Sequence, residues 1–106
     1  PDQVAYLIEI GLVKAYLDAA FAELVERKND TITVRFEKAS LKFFLTQDYF
    51  EAISKTHLKA KISDNQGKVE ITFDVRNKKD YEILEELKVF GQTFMEIKER
   101  KEKKEA

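Results

Sequence analysis

Residues 57–76, HLKAKISDNQGKVEITFDVR, decide the fold because apolar and polar side chains alternate on both sides of a turn sequence. Strict alternation over this length is typical of half-buried β-strands. One face of the two segments carries only apolar residues: Leu58, Ala60, Ile62, Val69, Ile71, Phe73 and Val75. The four residues 64–67 between them are turn formers, and Gly67 can adopt a positive φ. The pattern predicts a β-hairpin with strands at 57–63 and 68–76.

A helix is predicted after this hairpin. Asn77 is a favourable N-cap residue, so we expect the helix to begin near Lys78. Gly91 interrupts it, at a cost of about 1 kcal/mol relative to alanine in an exposed helix. Its apolar residues form one stripe at helical spacing: Ile83, Leu84, Leu87, Phe90, Phe94 and Ile97. The charged run 98–106, KERKEKKEA, is expected to be a solvated helix end or a tail.

The segments before the hairpin are a strand and an ambiguous stretch. Residues 31–37 alternate strictly, with Ile32, Val34 and Phe36 on one face, and therefore predict a strand. Residues 38–56 allow either one amphipathic helix or a strand at 40–45 followed by a short helix that Thr46 caps. We favour the helix because no Gly, Pro or Asn-Gly turn separates this stretch from the preceding strand.

The N-terminal segment predicts a helix that is apolar almost all the way round and ends near Arg27 or Lys28, before a turn at Asn29–Asp30. A surface helix normally has a single apolar stripe. One side of this helix carries large groups: Tyr6, Ile10, Val13, Leu17, Phe21 and Leu24. The opposite side carries mostly small groups: Val4, Ile8, Gly11, Ala15, Ala19 and Ala22. Burying both sides requires more surface than one small domain offers.

Together these segments predict an α+β fold of order α-β-α-β-β-α. A long N-terminal helix would precede a three-stranded antiparallel sheet, with helices packed on one face and a fourth strand allowed at 40–45. Residues 1–97 would form a single domain.

The N-terminal helix leads to the first functional hypothesis, a small non-catalytic interaction module that forms a homodimer or binds another protein. The expected contact residues are Tyr6, Ile10, Gly11, Ala15, Leu17, Ala19 and Phe21. The alternative is that the small-residue strip packs within the protein, either on its own last helix near Gly91 or on its own sheet.

The second hypothesis is a nucleic-acid-binding accessory protein that uses the polar face of the sheet. Its basic residues would be Arg35, Lys59, Lys61 and Arg76. Acidic residues lie between them, and the face has no aromatic ring on which a base could stack. A solvated sheet face is therefore the simpler interpretation.

Composition argues against several other classes of protein. The chain has no cysteine, one histidine (His57) and a net charge of −1, so we expect no catalytic, metal or cofactor site, and the composition argues against an enzyme. Four charged residues in the apolar N-terminal segment argue against a membrane span or a signal peptide. We expect a cytoplasmic protein, and the Lys/Glu-rich composition is typical of thermophiles.

The order β-α-β-β-α over residues 31–97, with a hairpin-then-helix pattern from Val69 to Phe94, is similar to the small dimerising subunit of the KEOPS tRNA-modification complex. The long first helix departs from that pattern. The resemblance concerns element order alone, and it implies an oligomeric accessory subunit.

Overall fold

The structure, a computed structural model, describes residues 2–105 and the side chains of residues 4–104. Its elements are α1 (Asp2–Ala19), β1 (Ala22–Lys28), β2 (Thr31–Phe36), a 3₁₀ helix (Lys38–Lys42), α2 (Thr46–Ser54), β3 (Lys59–Asn65), β4 (Lys68–Asp74) and α3 (Asp80–Glu105). The predicted α+β class is confirmed. Pro1 and Ala106, at the outer ends of the predicted segments 1–97 and 98–106, lie outside the described residues.

The four strands form one antiparallel sheet in the order β1-β2-β4-β3. The predicted hairpin is present as β3 and β4, with Asn65 paired to Lys68. Its turn contains two residues rather than the four expected, and both Gln66 (φ 54°) and Gly67 (φ 84°) have positive φ. Two-residue turns of this kind match the right-handed twist of the flanking strands. This match explains why strand pairing extends as far as Asn65 and Lys68 and leaves only two residues in the turn.

The helices cover the apolar face of this sheet, and the core lies between them. Phe36, Ile71 and Phe73 from the strands and Phe90 and Phe94 from α3 are all fully buried. The ring centroid of Phe73 lies 5.0 Å from that of Phe90 in an edge-to-face arrangement, a favourable geometry for aromatic pairs. The stripe predicted on the last helix is therefore the face that closes the core.

The end of the first helix differs from the prediction. α1 stops at Ala19, and residues 22–28 form strand β1 at the edge of the sheet, where Val25 pairs with Val34. The chain reverses at Phe21, whose φ is 68°. The fourth strand is therefore at 22–28 and not at 40–45. The left-handed conformation is unfavourable for a bulky side chain by roughly 1–2 kcal/mol.

Residues 38–56 form neither a single helix nor a strand. A 3₁₀ helix at Lys38–Lys42 leads to Phe44, which is buried, and α2 follows from Thr46. The hydroxyl groups of Ser40 and Tyr49 lie 2.6 Å apart in the core. This bond gives the buried tyrosine hydroxyl the partner it needs. It also ties the 3₁₀ helix to α2, which a continuous helix could not achieve.

The last helix begins at Asp80, close to the predicted start near Lys78, but Asn77 adopts a positive φ of 62° and does not cap it. At its first turn the backbone N–H of Lys79 donates to Glu82 Oε1 at 3.2 Å. α3 then continues through Glu105 and includes most of the charged run.

Helices α1 and α3 approach each other closely at Gly91. A Cβ atom added there would lie 2.7 Å from Cβ of Tyr16, closer than any real side-chain contact. Glycine at this position is therefore a packing requirement. Gly11, on the exposed side of α1, has nothing within 4 Å of such an atom.

The two glycines form a matched pair for testing this packing. We expect Gly91→Ala to lower the free energy of unfolding by about 1–3 kcal/mol through overpacking. Gly11→Ala should raise it by up to about 1 kcal/mol, because alanine favours the helix. Urea denaturation followed by circular dichroism measures both, and stabilisation by both variants would contradict the close approach of α1 and α3.

Candidate functional site

The outer side of α1 is an exposed apolar surface, called here the outer face: Val4, Leu7, Ile8, Gly11, Leu12 and Ala15. Leu7 is 66% exposed and Ile8 59% exposed, whereas Val13 and Leu17 on the opposite side are buried. An apolar patch of this kind on a small domain is typical of a surface that contacts another molecule. The outer face is therefore the leading candidate site.

The structure divides the predicted contact residues between surface and core. Tyr6, Ile10, Gly11 and Ala15 are exposed, and Ala19 and Phe21 are half-buried. Leu17 needs correction as a contact residue, because it is only 2% exposed. It belongs to the core, where it packs with the apolar residues of the sheet and α3. Leu7, the most exposed of the large residues of α1, was not among the predicted contacts.

The alternative prediction, that the small-residue strip packs on the last helix, is wrong for Gly11 and Ala15, which face outward. Tyr16 fills the position opposite Gly91 instead. Glu9 adds an ion pair with Lys88 of α3, with nitrogen and oxygen 3.6 Å apart. Val13 and Leu17 therefore face the core, whereas Gly11 and Ala15 lie on the open side of α1.

A groove of about 410 Å³ lies between α1, the edge strand β1 and α3. Val25 faces the same side of the sheet as the buried Val34, yet it is 49% exposed because the helices do not cover the sheet edge. The residues that line the groove are mainly apolar: Ile10, Val13, Lys14, Leu17, Asp18, Ala22, Glu23, Leu24, Val25, Leu84 and Leu87. The groove widens the apolar surface that α1 presents.

The polar face of the sheet is largely self-neutralised. Arg35 Nε donates to Glu70 Oε2 at 2.8 Å, and Lys68 Nζ lies 2.9 Å from both carboxylate oxygens of Glu23. Arg76 Nε lies 3.8 Å from Asp30 Oδ2. The alternative site of Arg35, Lys59, Lys61 and Arg76 thus keeps only its two lysines, both exposed, outside the ion pairs of the described residues. This arrangement disfavours phosphate binding, because acidic neighbours already occupy the arginines.

His57 lies between α2 and β3 with its side chain exposed, 3.1 Å from Glu86 through Nδ1. Its backbone N–H also donates to the Glu86 carboxylate. Among the residues that the structure describes, no group of three or more His, Cys, Asp or Glu side chains is placed to hold a metal ion. No helix within residues 2–105 has the length and hydrophobicity needed to cross a membrane.

A second surface was not foreseen from the sequence. Phe21 and Phe43 stack with ring centroids 5.0 Å apart and an interplanar angle of 14°. Lys98 Nζ lies 5.8 Å from the first ring and 5.9 Å from the second. With Lys42 these residues form what is called here the aromatic–lysine patch. Phe21, the adjacent Lys42 and Phe43, and Lys98 come from three distant parts of the sequence, and no local pattern joins them.

The ion pair on the sheet face predicts a pH dependence. Hydrogen bonds from Asn65 and Arg35 lower the pKa of Glu70 below its ordinary 4.5. The ionised carboxylate therefore stabilises the fold above about pH 4.5, and this contribution is lost as the pH falls through the lowered pKa. We expect Glu70→Gln to lower stability at pH 7 and to flatten its loss between about pH 5 and 3. The urea midpoints of wild type and variant across this pH range measure the difference in stability. The control is Glu99→Gln, at an exposed position of α3.

The comparisons with known proteins give one informative match. No family model matches the chain, and no curated protein matches it. Among solved structures, the chain is similar to the crystal structure of the C-terminal domain of a transcription-repair coupling factor, with 60% sequence identity and a TM-score of 0.90. The match covers 95% of this chain and 63% of that solved chain, so more than a third of the solved domain has no counterpart here.

Proposed function

We propose that this chain acts as a non-catalytic domain of a transcription-repair coupling factor and contributes a protein-contact surface through the outer face of α1. The observation that carries the proposal is the 60% identity to the solved C-terminal domain of such a factor over 95% of the chain. The TM-score of 0.90 shows that the fold is shared. A nucleic-acid-related role therefore has more support than a self-association module.

The contact surface is inferred from what α1 leaves uncovered. Leu7 and Ile8 are more than half exposed, and the groove beside them is also apolar. The solved domain contains a further third of chain beyond the match. Additional polypeptide of the same factor is thus the simplest cover for the outer face, because burying these side chains contributes about 25 cal/mol per Å² of apolar area.

The non-catalytic part of the proposal rests on the chemistry of the described residues. His57 and Glu86 are the one His–carboxylate pair among them, and no group of three or more potential metal ligands lies with this pair. We also propose a cytoplasmic location for this domain, as expected from the sequence.

A chimeric coupling factor tests this function. This chain replaces the matching segment of a full-length factor, and preferential repair of the transcribed DNA strand is measured after ultraviolet damage. We expect the chimera to keep the strand preference, and we expect a factor without the segment to lose it. A stably expressed chimera that behaves like the deletion would overturn the proposal.

Paired variants in that chimera test the role of α1. Leu7→Asp with Ile8→Asp places two charges on the outer face without touching the core, and we expect the strand preference to fall. Lys59→Asp, a charge change on the polar sheet face, is the matched control and should keep it. Equal effects of the two changes would contradict a specific role for the outer face.

The isolated chain offers a simpler measurement of the same surface. With the outer face uncovered, we expect light scattering to show concentration-dependent self-association. Leu7→Asp should weaken the association constant at least tenfold. This experiment also tests the predicted homodimer. A monomer at every concentration would contradict that prediction, and a dimer that Leu7→Asp leaves intact would place the contact elsewhere.

A further inference from the structure

We propose that the aromatic–lysine patch is a binding subsite for single-stranded nucleic acid, in which a base stacks on Phe43 and Lys42 and Lys98 contact the adjoining phosphates. This site lies outside the α1 outer face and does not depend on it. The patch supplies what the polar sheet face lacks, an exposed aromatic ring next to uncommitted positive charge.

The ring of Phe43 is presented to solvent by a fixed backbone. Its side chain is 47% exposed, although one side of the ring is stacked on Phe21. Lys101 Nζ donates to the carbonyl oxygen of Phe43 at 2.9 Å and also bonds the buried carboxylate of Asp48. Phe43 is therefore held in place, and a rigid exposed ring stacks on a base with little loss of conformational freedom.

Phe21 gives an independent reason to assign a function to this patch. It occupies the left-handed region at φ 68°, where glycine or asparagine is the usual residue. A strained bulky residue persists when the surroundings hold it in place, and such residues cluster at functional sites. Here the strained backbone places the ring of Phe21 behind Phe43 and beside Lys98.

The charges of the patch match a polyanion. Neither Lys42 nor Lys98 takes part in an ion pair within the described part of the chain, unlike the arginines of the sheet face. With Phe43, Lys101 and Glu102 these two lysines line an open pocket of about 300 Å³. Lysine binds phosphate as a point charge.

A nucleic acid fits this combination better than an acidic peptide does. A flat exposed ring is complementary to the flat face of any base, whereas carboxylates would use only the lysines. The single acidic residue of the pocket, Glu102, is matched by more than one lysine, so the local charge remains positive. Because few phosphates are contacted, we expect weak, salt-sensitive binding with a dissociation constant of roughly 10⁻⁴ M.

The test is fluorescence anisotropy of a labelled oligothymidylate of about 12 nucleotides with the 106-residue chain at low salt. We expect Phe43→Leu to weaken binding about tenfold. Lys98→Gln should weaken it and reduce the salt slope by about one. The matched controls are Phe50→Leu, at an equally exposed phenylalanine of α2, and Lys59→Gln on the sheet face, and both should bind like the wild type.

Three results would overturn the proposal. The first is no saturable binding at low salt, and the second is binding that Phe43→Leu leaves unchanged in a variant whose circular dichroism is native. The third is preferential binding of a labelled glutamate-rich peptide, lost in Phe43→Leu, which would make the patch a peptide site. Each result leaves the proposed role in the coupling factor untouched, since that role is tested by strand preference.

Discussion

The packing of Phe94 is the interaction on which the rest of the structure depends. Its ring lies 5.0–5.7 Å, between centroids, from four others, which come from β2, the segment after the 3₁₀ helix, α2 and α3 itself: Phe36, Phe44, Tyr49 and Phe90. One side chain therefore fixes α3 against the sheet and the 38–54 segment against α3. The position of α1 follows, because α1 contacts α3 at Gly91, one turn before Phe94. Replacing any of these rings with a smaller group would leave a cavity whose lining residues lose their contacts.

The parts of the fold that follow from the sequence are those in which one face is buried and the other solvated. β2, β3 and β4 alternate with period two, and a shift of one residue would expose their entire apolar set, so the pattern specifies both element and register. α3 is equally clear because its stripe has helical spacing. β1 does not follow, since Glu23–Lys28 is rich in helix-forming residues and the break before it occurs at Phe21 without a glycine. The helix prediction failed where tertiary packing imposes a backbone conformation that the residue itself disfavours.

The candidate site was predictable in kind but only partly in its residues, because Gly11 and Ala15 were among the expected contacts and Leu7 was not. An all-round apolar helix indicates an uncovered face, yet hydrophobicity alone does not decide which side is uncovered. The decision depends on shape, because the side that packs against α3 must meet a glycine, and Tyr16 fits there. Leu17 consequently lies inside and Leu7 outside, although both are leucines on one helix. The aromatic–lysine patch could not be predicted, because Phe21, Phe43 and Lys98 meet only through the reversal after α1.

The reversal at Phe21 links the fold to the electrostatics of the surface. If α1 had continued to Lys28, β1 would not exist, and Glu23 would not lie beside Arg35 and Lys68. The sheet face would then carry more uncompensated positive charge, and Phe21 would not stack on Phe43. The reversal at Phe21 thus adds one carboxylate, Glu23, to the sheet face and at the same time builds the small patch where two lysines stay unpaired among the described residues. In a chain with a net charge of −1, polyanion binding depends on where cations are left without acidic neighbours, and not on how many there are.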